Sequence, residues 1–88
     1  MWVSVQVSVY PLGQDDLAPA IEAVWRVFQE HRLSCQPGPM STLLEGDDEA
    51  VFAALREALR AASELGATVM AATVSNACPR VPQKKTDG

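Results

Sequence analysis

The sequence predicts an α+β fold, with one four-stranded antiparallel sheet carrying two helices on a single face in the order β-α-β-β-α-β. Three observations lead there. Valines alternate with polar residues in the opening segment, two amphipathic stretches repeat at helical spacing, and Pro37, Gly38 and Pro39 separate two short extended segments between them. The chain has 88 residues, enough for one small core and therefore one domain. Its 48% hydrophobic and 20% charged residues are a globular composition, not a disordered one.

The first strand is "WVSVQVSVY", in which Val3, Val5, Val7 and Val9 share one face. Trp2, Ser4, Gln6, Ser8 and Tyr10 share the other, because successive side chains in a strand point to opposite sides. Pro11 and Gly13 end the strand. Asp15 or Asp16 is placed to cap the next helix, and Pro19 is tolerated because it falls in the first turn. Leu17, Ile21, Val24 and Phe28 form the expected buried stripe, while Glu22, Arg26 and Glu30 lie on the solvated side. Trp25 and Val27 flank the stripe, where they either widen it or meet another subunit.

Two short strands over 34–36 and 41–45 follow, with the bend at Pro37–Pro39, since neither proline donates to a ladder. The second helix begins after Gly46, with Asp47, Asp48 and Glu49 against its partial positive N-terminus. Phe52, Leu55, Leu59 and Ala62 are its expected stripe, with Ala58 beside it and Gly66 as the left-handed cap. Glu57 and Arg60 form an expected i, i+3 pair. "ATVMAATVSNA" is the last strand, with Met70, Ala72 and Val74 toward the core. Two single-helix crossovers with a hairpin between them give the ferredoxin-like arrangement. The domain is expected over residues 1–78, and "PRVPQKKTDG" supplies a loose tail over 79–88.

Both helices cover the valine face, so nothing in the chain covers Trp2, Gln6, Ser8, Tyr10, Thr73 and Ser75. Trp2, Tyr10 and Val69 make that face partly apolar, and pairing with a second copy would enclose a cleft lined by hydroxyls and rings. Self-association through the sheet is therefore expected.

Charge and cysteine usage narrow the classes of partner. The net charge is −4 and only Lys84 and Lys85 form a basic pair, which argues against nucleic acid. No apolar run reaches the ~20 residues that span a bilayer, and no cleavable leader pattern opens the chain; a cytoplasmic address is expected. Cys35 and Cys78 belong to opposite edges of the predicted sheet, too far apart for a disulfide, so both are expected to be reduced. His31 is the single histidine, too few ligands for structural zinc, and it sits where a histidine complements a helix C-terminus. No nucleophile, base and orienting acid stand out, and no phosphate-binding glycine loop occurs. A binding module without cofactor or metal is expected, not an enzyme.

Three segments then carry a resemblance: "VSVQVSVYPLG", "GPMSTLLEG" running into an acidic helix start, and "LGATVMAATVS". Together, at these separations, they resemble the small thiamine-binding, YkoF-like proteins, over nearly all of the chain up to Cys78. The most specific piece is Gly38-Pro39-x-x-Thr42-x-x-Glu45-Gly46. The resemblance implies a ferredoxin-like protomer that pairs through its sheet into homodimers or homotetramers. It also implies binding of thiamine or its hydroxymethylpyrimidine half, without catalysis.

The residues suit that ligand. An aminopyrimidine offers a flat π-face, an amine donor and ring-nitrogen acceptors, and Ser8, Ser41, Thr42, Thr73 and Ser75 offer hydroxyls that donate and accept. Gln6 adds an amide on the same face. Glu45 can accept from the amine or offset the positive thiazolium, or serve the following helix start instead. Tyr10, Met40 or Trp2 can cover the ring. Thr42 and Glu45 are three apart, so a regular strand sends them to opposite faces unless a bulge intervenes. If Leu44 faces the core, Thr42 goes inward with it, and Ser41, Leu43 and Glu45 line the open face. The alternatives are a regulatory or assembly module of the amino-acid-sensing ACT type, and an enzyme working in the interface cleft.

Overall fold

The computed structural model describes residues 1–38 and 41–77; Pro39, Met40, Cys78 and the tail over 79–88 lie outside them. The elements follow the expected order: β1 (Trp2–Pro11), α1 (Ala18–Glu30), β2 (Ser34–Pro37), β3 (Thr42–Asp47), α2 (Asp48–Ser63) and β4 (Thr68–Ser75). The sheet runs β2-β3-β1-β4 with every neighbouring pair antiparallel, so β2 and β4 are its edges. This is the ferredoxin-like α+β arrangement.

The alternation of β1 sets the two faces. Val3, Val5 and Val7 are buried beneath the helices, and β3 matches them in register with Gly46, Leu44 and Thr42. Thr42 therefore points toward the helices while Glu45, opposite Ser4, points away, and the regular register leaves no bulge between them. Phe28 and Leu44 are wholly buried, and each such side chain contributes roughly 1.5–3 kcal/mol relative to exposure.

The helices are rotated from their expected stripes. α1 buries Ala20, Val24, Val27 and Phe28, while Leu17 is 47% exposed and Ile21 is half-buried. α2 buries Val51, Ala54, Leu55, Ala58 and Ala62, while Phe52 is 50% and Leu59 40% exposed. The reason is close approach. Alanine lets a helix backbone settle near the sheet and its neighbour, and the bulkier side chains fall to the flanks. On β4, Met70 packs against the core, but Ala72 and Val74 remain exposed beyond the reach of α2.

Several ends are held by specific contacts. Asp16 Oδ1 accepts from the Ala18 N–H at 3.0 Å, which anchors the start of α1. Arg32 turns the chain out of α1 at φ +57°, a left-handed conformation rare outside glycine and asparagine. Gly38 closes the β2–β3 turn by donating to the Ser41 carbonyl at 2.7 Å, and a side chain there would begin 2.9 Å from that oxygen. Asp47 caps α2 by accepting from the Glu49 N–H, so the helix start does not use Glu45. Gly66 has φ +146°. Glu57 turns away from Arg60: its Oε1 lies 3.0 Å from His31 Nε2, tying the two helices together. No helix among the described residues is long and apolar enough to cross a membrane.

Candidate functional site

The pairing of β1 with β3 stops at Val7 opposite Thr42, yet β1 continues to Pro11. Beyond that point α1 and the β2–β3 turn bound a cleft of about 240 Å³. Its floor is Val7, Ser8 and Val9 of β1; Ile21, Val24, Trp25 and Phe28 of α1 form one wall, and Gly38, Ser41 and Thr42 the other. The cleft exists because a strand of ten residues crosses one of six, while α1 spans the uncovered remainder. Apolar and aromatic walls with a few polar groups at the edge are the usual make-up of a small-molecule site. The volume lies under the ~300–1,000 Å³ common for drug-sized ligands, which matches one six-membered ring with short substituents.

A second cleft of about 300 Å³ adjoins the first, lined by Trp25, Gln29, Leu33, Cys35 and Pro37. Trp25, 39% exposed, lines both. Cys35 faces the helices beside Leu44, and burial pushes its thiol pKa up, which keeps it protonated at neutral pH.

The open face of the sheet carries a different set. Ser34, Glu45, Ser4 and Ser75 stand opposite one another in sequence across all four strands. Ser4 Oγ donates to Glu45 Oε2 at 3.0 Å, and both residues are 9% exposed. Next along, Gln6 stands opposite Leu43 and Thr73, and its Nε2 donates to Ser41 Oγ at 3.1 Å. Tyr10 stands opposite Val69, both well exposed.

The nine residues singled out in the sequence thus divide. Ser8, Ser41 and Thr42 all border the first cleft, but only Thr42 faces it from the helix side; the Ser8 side chain stands on the open face opposite Ala71, and Gln6 bonds to Ser41 from that face. Tyr10, Glu45, Thr73 and Ser75 lie on the open face, while Met40 is outside the described residues. Sequence reasoning left Trp25 beside the stripe and assigned Phe28 to the core alone. The pointer to both was available: Ile21, Trp25 and Phe28 at spacings of four and three form an apolar edge beside the expected stripe. Among the described residues no cluster of three or more His, Cys, Asp or Glu is arranged to hold a metal ion.

The fold and the cleft define a small α+β protein with a concave, ring-sized site between sheet and helix. The model of the family described as thiamine-binding protein matches residues 5–76, and the chain belongs to that family. Its role is accordingly thiamine-related, in a family named for binding. A search of curated proteins finds none that matches. Among solved structures, a hypothetical protein from Methanocaldococcus jannascii superposes with a TM-score of 0.82 at 23% identity, covering 91% of this chain and 84% of its own. A protein from Streptococcus pneumoniae gives 0.79 at 26% identity, with 85% and 86% covered. A protein from Thermotoga maritima, provisionally assigned to thiamine biosynthesis or salvage, gives 0.74 at 20% identity, with 84% and 82% covered.

Proposed function

We propose that this protein binds thiamine or its hydroxymethylpyrimidine moiety without transforming it, and that the pyrimidine ring occupies the cleft between β1, α1 and the β2–β3 turn. The observation that carries the reading is a cleft walled by Trp25 and Phe28, with Thr42 facing in from the sheet and Ser41 at its edge, in a chain of the thiamine-binding family. The aromatic walls suit the flat face of the ring, and the hydroxyls suit its amine and ring nitrogens. Gln6 holds Ser41 in place from the open side of the sheet. The binding unit is the domain over residues 1–78.

The open face serves assembly. A second copy covers Trp2, Tyr10 and Val69, giving a homodimer or homotetramer through the sheet. The support is their exposure on a face whose polar residues can pair with their own symmetry mates.

Titration calorimetry with thiamine, hydroxymethylpyrimidine, thiamine phosphates and a panel of amino acids tests the ligand class. Binding of thiamine or the pyrimidine, recovered chemically unchanged after incubation, is the expected result. An amino acid that binds where no pyrimidine does at millimolar concentration would replace this reading with the sensing-module alternative.

A further inference from the structure

The two clefts lie side by side on either side of Trp25. They share Trp25; Gly38 of the first follows Pro37 of the second, and Phe28 of the first precedes Gln29 of the second. The two together reach the ordinary range for a small-molecule site. They also differ in chemistry. The first has Thr42 and Ser41 at its edge, while the second adds to the shared indole one amide, an aliphatic wall from Leu33 and Pro37, and a thiol.

Resting on the reading that the pyrimidine occupies the first cleft, we infer that the two form one bipartite site divided by Trp25, in which the second cleft takes the thiazolium half of intact thiamine. A thiazolium is flat, positively charged and without a proton to donate at nitrogen, so a wall of hydrogen-bond acceptors is not what it needs. A tryptophan face is the strongest uncharged partner among side chains for such a cation. The amide oxygen of Gln29 supplies a further partial negative charge at the mouth, and the Cys35 thiol, kept neutral by burial, a polarizable wall. The protein then discriminates whole thiamine from its pyrimidine half by the second cleft, not by the first.

Two measurements test this. Gln29→Trp, at an exposed helix position that the fold tolerates, fills the second cleft, and Trp25→Ala removes the shared wall. Both are expected to weaken thiamine on the order of tenfold or more. Gln29→Trp is expected to leave hydroxymethylpyrimidine affinity unchanged. In a Cys78→Ser background, thiamine is expected to slow alkylation of Cys35, and the free pyrimidine is not. Unchanged thiamine affinity in Gln29→Trp, or equal protection of Cys35 by both ligands or by neither, overturns the bipartite site while pyrimidine binding stands. Failure of wild-type protein to bind either ligand overturns the underlying reading, and the bipartite site falls with it.

Discussion

The Ser4–Glu45 hydrogen bond permits a quantitative test of what the buried carboxylate does. Ser4 Oγ donates to Glu45 Oε2 at 3.0 Å, with about nine-tenths of each residue hidden from water. A hydrogen bond to a charged acceptor contributes about 1.5–3 kcal/mol, against about 0.5–1.5 kcal/mol for a neutral one. Ser4→Ala in the wild type should therefore destabilise by about 2 kcal/mol, a fall of roughly 8–16 °C in Tm for a domain of this size. In a Glu45→Gln background the acceptor is neutral, and the same substitution should cost about 1 kcal/mol. The coupling energy is then about 1 kcal/mol, readable from urea unfolding of the four proteins in a double-mutant cycle. Equal costs of Ser4→Ala in the two backgrounds would refute the reasoning, because Glu45 would then not draw its stabilisation from Ser4. The same variants carry a binding test. Glu45 lies on the face opposite the cleft, so Glu45→Gln should leave thiamine affinity unchanged; a loss specific to the cationic vitamin would move its charge partner to the open face.

Three further outcomes are expected. Gly46→Ala places a methyl 2.6 Å from Leu33 Cδ2, a half-buried side chain with room to swing, so the cost should sit near the low end of overpacking, about 1 kcal/mol by thermal melting, and a loss above about 3 kcal/mol would mean Leu33 is locked. Asp47 is held below the ordinary carboxylate range first by the hydrogen bond from the Met1 ammonium and then by the Glu49 N–H. Its contribution is full above the unfolded carboxylate value and lost as pH falls through the lower folded one; Asp47→Asn should flatten that acid limb of a stability-versus-pH curve, and an unchanged limb would discount the contact. Ala71→Arg puts a charge at the middle of the exposed face opposite Ser8; it should reduce the mass seen in sedimentation to that of a monomer while thiamine still binds, and an unchanged mass would place the assembly surface elsewhere.

Much of the architecture was legible because strand alternation is a local property. Four valines in nine residues oriented β1, and the odd spacing of Thr42 and Glu45 sufficed to send them to opposite faces once Leu44 was taken as core. The helix stripes were less legible, since periodicity favours large apolar residues. Leu17, Phe52 and Leu59 match the period as well as Ala20, Ala54 and Val51 do, and only the tight approach of helix and sheet selects the smaller set. Glu57 illustrates the same limit: Arg60 was a plausible local partner, but His31, 26 positions away, is the one brought within 3.0 Å. The cleft was legible only in part. Its hydroxyls stood out in a segment rich in turns and polar residues, but its walls come from three separated stretches, and the space depends on β3 ending where β1 continues. Thr73 and Ser75 stand on the open face opposite Gln6 and Ser4, where only a second copy of the chain would enclose a site around them.

The location of the ring is the central claim, and a crystal structure of the protein grown with thiamine tests it most directly. The account predicts planar density for the pyrimidine between β1 and α1, against Trp25 and within hydrogen-bond distance of Ser41 or Thr42. Planar density sandwiched between two open sheet faces, with the cleft filled by water, would contradict it.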